Sequence, residues 1–567
     1  MKRKKIATLA LLLSLVWAVP ASANYTPPVG IPNPSWGSLH PIDTPVPARP
    51  NPWTAEQAGH YYINPQSGTD TGRTYGTPTA PRATVPITVP AGSRVELTGT
   101  HTYGRTFTAQ GTEGNPIFFV GTPGALPTIT TTWYWGNAAY VIIDGLQFSV
   151  AKPEIRTKDG HTPHHICMRN SKITGNGLQG NTGTLNFYGS APNWTEHIVL
   201  YNNEVSYIGK YDYIGEDDRH AFKPENYARN IWLLNSHHHH NGGDAVQVGN
   251  PGGVTGTSPY NIYIGGNTFH DDGENAVDIK GCKDIIISSN LMYNYTDWPG
   301  ETNSFGPAVS VHDSPTDIWF INNTIHSAKG GIISSGSTNL YIIGNIIHGM
   351  DEYATENHAE ESYYRSGYAI NAYSTQKVYV YNNTIYDTAV GVSYYATNDN
   401  YEIDIVGNTI SNLRIGAVTR NNPYSIMIGT NDLAVTASDI EYNLFYNPVR
   451  IHLDGTTHTT LSTLVSAGKC DDKGGSCLAT APALSNPPTS FALTSSSAAK
   501  DAGSIMSGTT PYSIFLASYG MDIKKDIAGT ARPVNTIWDI GAHEYSSSNA
   551  EAQNTITNPT ILNIKLK

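Results

Sequence analysis

A short Asn-x-apolar motif recurs through the middle of the chain and limits the possible folds more than any other feature. Successive copies lie 22 to 25 or 31 to 38 residues apart, with Ser236 standing in for one of them. The copies begin at Asn203, Asn267, Asn290, Asn323, Asn345, Asn383, Asn408 and Asn443. A period in the low twenties is typical of one coil of a parallel β-solenoid, and longer intervals indicate inserted loops. The motif therefore predicts an all-β chain with a parallel β-helix over about residues 138–450, each Asn bonding the next coil at a turn.

A second repeat places polar side chains on one outer face of this helix. Residues 244–248, 275–280 and 307–312 share an Ala-Val-x-apolar core and begin 31 and 32 residues apart, and residues 220–223 form a degenerate earlier copy. Because side chains alternate along a strand, inward valines leave the positions between them facing outward. One outward column then contains Lys223, Gln247, Asp278 and Ser310, and the next contains Glu225, Gly249, Lys280 and His312.

Four consecutive histidines, His237–His240, look like a cluster of metal ligands. The Asn motif, however, aligns His239 with one ring-bearing residue in each later coil. These residues are His270, Tyr293, His326, His348 and Tyr386. A ring repeated once per coil predicts a stacked ladder, whereas a metal site needs ligands that converge on one point. His238 takes the inward position, where we expect a hydrogen-bonded core residue.

The two ends of the chain differ in composition from the repeat. Residues 1–23 have the pattern of a secretory signal, with a basic start, an apolar run and Ala21-Ser22-Ala23 before the expected cleavage point. We therefore expect an exported protein, extracellular or periplasmic, that does not stay in a membrane. The other predicted segments are a Pro-rich lead (24–56), an N-terminal cap with entry strands (57–137), a C-terminal module that seals the last coil (451–545) and a flexible tail (546–567).

Charge and cysteine content exclude two classes of function. The formal net charge is −12, and non-specific nucleic-acid binding needs a basic surface. None of the four cysteines forms a C-x-x-C pair, so nothing indicates a structural zinc site. Cys470 and Cys477 bracket a turn-like segment and are expected to form a disulfide, which exported proteins favour. Cys167 and Cys282 are expected to be single buried thiols.

Carboxylates and lysines concentrate on the coils that carry the Ala-Val repeat. The side chains expected to bind a metal ion are Asp244, Asp271, Asp272, Glu274 and Asp278. Clustered hard oxygen ligands suit Ca²⁺, and a lysine beside a bound cation has its pKa lowered, so that it can act as a general base. Together these groups supply the parts for β-elimination on a uronic-acid polymer: the ion binds the sugar carboxylate and the amine removes the C5 proton. The candidate base is Lys280 or, alternatively, Lys223.

The solenoid with these motifs resembles the right-handed parallel β-helix polysaccharide lyases, especially the family 9 pectate-lyase type. The matching residues are Gly242-Gly243-Asp244, Asp271-Asp272-Gly273 and an outward lysine after Asn275-Ala276-Val277. In that family an aspartate-bound calcium lies beside a catalytic lysine on the outer face. The resemblance implies Lys280, which follows the aspartates in coil order, although His220-Ala221-Phe222-Lys223 also matches the context of the family's lysine. His312 is a further catalytic candidate, and substrate contacts are expected from Arg219, His220 and Gln247.

Two other classes of function remain open from the sequence. A β-helix glycoside hydrolase would use paired carboxylates, and Asp244 and Asp278 on adjacent coils are about one strand spacing, roughly 4.8 Å, apart before the offset between their columns is added. A non-catalytic surface protein would bind glycan by aromatic stacking, for which Tyr363-Tyr364 and Tyr394-Tyr395 are candidates, one ring of each pair facing inward. All three readings share a carbohydrate partner, which is an acidic polysaccharide in the lyase reading, and we expect a monomer.

Overall fold

The structure is a computed structural model that describes the chain from residue 25 to residue 547, with gaps. The described ranges are 25–150, 153–178, 185–211, 217–296, 306–351, 366–396, 401–414, 423–430, 438–453, 455–470, 477–504 and 508–547. The predicted signal segment, nearly all of the predicted tail and the Tyr363-Tyr364 pair lie outside these residues. Among the described helices, none is long and apolar enough to cross a membrane.

The described strands stack into three parallel sheets that wind around one core, which confirms the predicted parallel β-helix. Sheet 1 contains His60–Ile63, Thr88–Val89, Arg94–Leu97, Arg105–Gln110, Ile117–Gly121, Trp133–Asp144, Pro153–Glu154, His164–Arg169, Thr195–Tyr201, Ala228–Leu234, Tyr260–Gly265, Lys283–Ser288, Thr316–Ile321, Asn339–Ile343, Lys377–Tyr381, Glu402–Val406 and Ser438–Glu441. Sheet 2 contains Thr100–His101, Thr128–Ile129, Gln147–Ser149, Lys172–Thr174, Glu204–Ser206, His237–His239, Thr268–His270, Leu291–Tyr295, Thr324–Ala328, Ile346–Met350, Thr384–Tyr386, Thr409–Ser411 and Leu444–Tyr446.

Sheet 3 carries the Ala-Val repeat. Its strands are Leu185–Phe187, Phe222–Pro224, Val246–Val248, Val277–Lys280, Pro307–His312, Gly330–Ser335, Tyr368–Tyr373, Val390–Ala396, Tyr424–Thr430, Ile451–Leu453 and, antiparallel at its end, Thr456–His458. The repeat valines Val246, Val277 and Val309 pair in register and are fully buried. This register confirms the predicted inward positions, so the residues between the valines face outward as one surface.

The motif asparagines form a buried ladder at the turn between sheets 1 and 2. The Oδ1 atom of Asn345, for example, accepts hydrogen bonds from the backbone N and Nδ2 of Asn323, at 2.8 and 3.0 Å. Its own Nδ2 donates to the carbonyl of Phe320 and to Asn383 Oδ1. Each buried amide thereby satisfies backbone groups of a neighbouring coil, which is why the motif recurs.

The ring-bearing residues of sheet 2 stack as predicted from His239 to His348, whereas the last predicted member, Tyr386, contacts Phe491 edge-on. His239, His270, Tyr293 and His326 have successive ring centroids 5.3, 4.7 and 5.2 Å apart, with nearly parallel planes. His238 is inward and buried, and burial lowers its pKa to about 3. The expectation that it is hydrogen-bonded is wrong: within the described residues neither ring nitrogen has a partner, because the surrounding core is apolar.

The Pro-rich lead runs along the outer, apolar face of sheet 1. The carbonyls of Val29, Pro32, Pro41 and Pro47 accept bonds from Ser288, Trp232, Arg169 and Arg94, in that order along the chain. Trp36 is buried on this face against the rings of sheet 1. The lead thus crosses the coils from the middle of the solenoid back to its first coils. Parallel pairing itself already begins at His60–Ile63, within the segment predicted as a cap.

The C-terminal segment closes the last coil and then turns back. The short helix Leu461–Val465 buries Leu464 in the main core, and the predicted disulfide Cys470–Cys477 is present beside it. A small antiparallel pair, Leu484–Asn486 with Ser490–Leu493, and the helix Pro511–Tyr519 follow. Phe515 of that helix packs edge-on against Trp319 of sheet 1, at 4.8 Å between centroids. Cys167 and Cys282 are single buried thiols, as predicted.

Candidate active site

The outer face of sheet 3 gathers the predicted polar residues on four neighbouring coils. Gln247 pairs with Asp278, and Asp278 with Ser310, in one column. Lys280 pairs with His312 in the next column. These pairings agree with the columns expected from the repeat. Sheets 1 and 2 hold this face rigidly, because every strand of the coil is bonded on both sides.

Asp278 is the centre of the first group. Its Oδ2 lies 2.8 Å from Lys280 Nζ, and its Oδ1 lies 3.1 Å from His312 Nε2. The amide of Gln247 is 3.5 Å from the same Oδ2. Burial disfavours the charge of Asp278, but the bond from His312 and the charge of Lys280 outweigh it and lower the pKa of Asp278. This carboxylate is therefore held ionised beneath two cations.

Lys280 and His312 contact the buried Asp278 and extend to the surface. Their side chains are 19% and 36% exposed, so both can meet a ligand. Burial opposes the charged form of each, yet Asp278 raises the pKa of both groups. His312 is further bonded through Nδ1 to Asp313, at 2.9 Å. Both groups are thus biased toward the cationic form, whereas the sequence reasoning expected a lysine with a lowered pKa.

His220 is the centre of the second group. Its buried imidazole lies between two carboxylates, with Nε2 2.6 Å from Asp218 Oδ1 and Nδ1 3.0 Å from Asp244 Oδ2. Burial disfavours the imidazolium, but the two bonds raise the pKa of His220 to about 9. The bond from His220 in turn lowers the pKa of Asp218 to about 2. His220 was predicted to contact substrate; its buried ring connects the buried Asp244 with Asp218, whose side chain is 65% exposed.

Asp244 links the two groups. It is fully buried, and burial together with the charge of Asp278 raises its pKa. The backbone N–H of Asn275 donates to its Oδ1, at 3.0 Å. With one oxygen on His220 and the other on Asn275, this carboxylate faces the interior of the site.

Glu274 completes the cluster from the turn before the Val277–Lys280 strand. One ligand atom each of Asp218, His220 and Glu274 lie within 4.8 Å of one another, so these three residues could hold a metal ion. Asp218, which belongs to this set, was not among the predicted ligands. No repeat position marks it in the sequence, because Asp218 lies in the irregular segment before the Phe222–Pro224 strand.

Two of the predicted ligands lie elsewhere. Asp271 is paired with His270 in the ring ladder, at 2.6 Å. Asp272 is buried, accepts two bonds from Asn241 and one from the Tyr295 hydroxyl, and burial raises its pKa to about 7. The structure does not bring either carboxylate onto the outer face with Glu274.

The remaining predicted residues lie beside the cluster. Lys223 Nζ is 3.3 Å from Glu225, which directly follows the Phe222–Pro224 strand, and both side chains are 21% exposed. Arg219 is 47% exposed, with its Nε 3.9 Å from Asp217. The charges of both Lys223 and Lys280 help lower the pKa of Asp218, after the His220 bond and against burial. The site is therefore a cationic surface over a layer of buried acids.

The model of a family described as the right handed beta helix region matches residues 252–443. This chain contains a right-handed β-helix. The resemblance to the parallel β-helix polysaccharide lyases is thereby confirmed at the level of the fold. A search of curated proteins finds no match.

Several solved structures share the fold at low identity. The PL6 family alginate lyase AlyGC is 15% identical with a TM-score of 0.40, covering 66% of this chain and 53% of its own. The A-module of the Azotobacter vinelandii mannuronan C-5 epimerase AlgE6 is 16% identical with a TM-score of 0.39, covering 70% and 90%. The pectate lyase Pel9A is 14% identical with a TM-score of 0.33, covering 86% and 96%. All three are enzymes that act on polysaccharides.

Proposed function

We propose that this protein is an exported polysaccharide lyase that cleaves a uronic-acid polysaccharide by β-elimination. The observation that carries the proposal is the pair Lys280 and His312, two cations side by side on an open sheet face above the ionised Asp278. A sugar carboxylate placed on this pair would have its charge neutralised. That neutralisation stabilises the carbanion that forms when the C5 proton leaves, which is the difficult step of the elimination.

The base must be a group other than those that bind the sugar carboxylate. Lys280 is biased toward the ammonium form by Asp278, so we assign it to carboxylate binding. Lys223 lies beside the cluster with Glu225 as its ion-pair partner, and we assign it as the base. Its neutral amine takes the C5 proton, the C4–O bond breaks, a C4–C5 double bond forms, and the leaving oxygen takes up a proton.

The carboxylates that would hold a metal ion are those of Asp218 and Glu274, because His220, the third residue of the group, is held in its charged form between Asp218 and Asp244. Carboxylate oxygens are donors that Ca²⁺ prefers, and we propose Ca²⁺, with water and substrate oxygens completing its shell. A bound ion would supply further positive charge to the substrate carboxylate. The set is smaller than the sequence predicted, because Asp244 and Asp278 already neutralise protein cations.

The proposal is tested with a panel of acidic polysaccharides, including polygalacturonate and alginate. Ultraviolet absorbance of unsaturated ends is expected with at least one of them, and a chelator should reduce the rate. Absence of unsaturated products across the panel would refute the lyase. Activity that a chelator leaves unchanged would refute the calcium assignment alone.

One observation favours glycoside hydrolysis as a second candidate. Asp218 and Glu274 have oxygens within 4.8 Å of each other, near the separation of roughly 5 to 5.5 Å between carboxyl groups in retaining glycosidases. New reducing ends without ultraviolet absorbance would identify this reaction.

A further inference from the structure

The column that holds Lys280 and His312 continues along sheet 3 into two tyrosines. His312 pairs with Ser335, Ser335 with Tyr373, and Tyr373 with Tyr395. The two tyrosine rings stack with centroids 5.5 Å apart and planes 7° from parallel. Their faces therefore point along the axis of the helix, one of them back toward the candidate site.

Small residues border this two-ring stack on both sides. Gly429 follows Tyr395 in the column. Ser335, which is exposed, precedes Tyr373 and carries no ring to cover its inner face. Tyr373 is 48% exposed, an unusual fraction for so large a side chain in this protein. Among the residues that the structure describes, the stack thus ends in an aromatic face that no other ring covers, two coils from His312.

The layer of Ser335 is a slot between two larger side chains. His312 and Tyr373 are two coils apart, about 9 to 10 Å at the usual strand spacing. A ring lying in this layer would be about 4.8 Å from Tyr373. The ring ladder of sheet 2 uses the same separation, between 4.7 and 5.3 Å. The spacing between His312 and Tyr373 therefore matches one six-membered ring in the layer of Ser335, as judged from the described residues.

We infer that the slot over Ser335 binds one pyranose ring of the polymer, packed on the inner face of Tyr373. This inference rests on the proposed function for the identity of the ligand as a polysaccharide. The C–H groups of a sugar face are apolar and suit an aromatic surface, while its hydroxyls remain in water or meet polar neighbours. The slot adjoins His312, so the bound ring lies beside the cationic pair. Tyr373 then sets the register of the polymer over Lys280 and His312.

The test is a substitution at Ser335 that places a larger side chain of the protein itself in the slot. Ser335→Tyr would continue the stack from Tyr373 and occupy the layer, whereas Ser335→Ala keeps the slot open at the same position. Tyr373→Ala removes the binding face, and Tyr373→Phe retains it. Tyr395→Ala removes a ring of the same stack that does not face the slot. Thermal unfolding and circular dichroism establish that each variant is folded.

Binding is measured by affinity electrophoresis in gels that contain polygalacturonate, alginate or a neutral β-glucan. We expect Ser335→Tyr and Tyr373→Ala to bind at least about tenfold more weakly than the wild type. Ser335→Ala and Tyr373→Phe should match the wild type, and Tyr395→Ala should lose less than Tyr373→Ala. Equal retardation of folded Ser335→Tyr and wild type would overturn the inference, as would failure of every polymer to retard the wild type.

The two proposals fail separately in this design. Slot-dependent retardation without unsaturated products supports the slot and refutes the lyase. Where cleavage is observed, Tyr373→Ala should raise KM about tenfold with little change in kcat, because Tyr373 binds the polymer away from the reacting bond. A loss confined to kcat would overturn the binding role.

Discussion

At the scale of single residues, the carboxylates of the site differ in whether a cationic side chain of the protein neutralises them. Asp278 and Asp244 are buried and bonded to Lys280, His312 and His220, so their charge serves to hold cations in place. The other carboxylates of the cluster, those of Asp218 and Glu274, belong to residues that lie before the strands of sheet 3. Sequence spacing predicted the strand residues correctly because alternation is strict, but it could not separate Asp272 from Glu274, since a turn has no fixed period.

The two lysines are distinguished by separate substitutions. Lys223→Ala should lower kcat by about 10²- to 10⁴-fold, the usual contribution of a general base. Lys280→Ala should raise KM on the cleaved polymer, because the carboxylate loses a binding cation, and should lower kcat as well. Steady-state assays of unsaturated ends measure both effects. A Lys223→Ala enzyme with normal kcat would move the base to Lys280.

The pH dependence of wild-type activity tests the role of His312. His312, whose pKa is raised, should lose its charge at higher pH and weaken substrate binding, which raises KM there. The measurement is kcat and KM against pH, with His312→Gln as the comparison. A KM that rises with pH equally in that variant would exclude His312 as the titrating group.

Asp272 gives a prediction for stability. Its folded pKa of about 7 lies above its ordinary value of 3.8, so the folded state favours the protonated form. Its contribution to stability is complete below about 3.8 and is lost as pH rises to about 7. Asp272→Asn should keep the bonds from Asn241 and donate a hydrogen bond to Tyr295. Because the variant has no carboxyl group to titrate at this position, its free energy of unfolding in denaturant should change less between pH 4 and 7. An unchanged slope in the variant would contradict this reasoning.

At the scale of strands and turns, the coil is built from a few repeated contacts. The Asn motif could be read directly from the sequence because each copy makes the same bonds to the same neighbours. The ring ladder was predictable for the same reason. The contact between Asp218 and His220 was not, because it depends on an inserted segment that does not follow the repeat.

The Asn ladder is tested by one substitution in its middle. Asn345→Ala removes an acceptor from Asn323 and leaves buried backbone groups without partners. Such losses cost roughly 1 to 3 kcal/mol for each buried group, so a clear drop in thermal stability is expected. Lys377→Ala is the control, since it breaks only an exposed ion pair with Glu402. Equal stability of the two variants would show that the ladder contributes little.

At the scale of the whole molecule, the apolar outer face of sheet 1 is covered by both ends of the described chain. The lead buries Ile31 and Trp36 on it, and the C-terminal helix buries Phe515. Sheet 3, on another side of the coil, keeps its polar outer face. Within the described residues, neither the lead nor the C-terminal helix packs on the face of sheet 3 that we propose as the binding site.

Cleavage of the chain between the lead and the solenoid tests how strongly the lead binds sheet 1. A specific protease site inserted between Thr54 and Ala55, which are exposed, would separate the lead from the solenoid. The cut lead should stay bound, because each large apolar side chain it buries contributes about 1.5 to 3 kcal/mol. Co-elution from a sizing column in buffer, and separation in denaturant, are expected. Immediate loss of the peptide in buffer would show that the covering is weak.

The path of the lead also has a consequence for how this fold can vary in length. Solenoids can in principle gain or lose a coil, since each coil contacts only its neighbours. Here one continuous segment is attached at Ser288, Trp232, Arg169 and Arg94, and Gly30 lies between Ile321 and Phe515 at its far end. Adding a coil between these points would shift every attachment beyond it. The length of the lead therefore restricts the number of coils, and a change in coil number requires a matching change in the length of the lead.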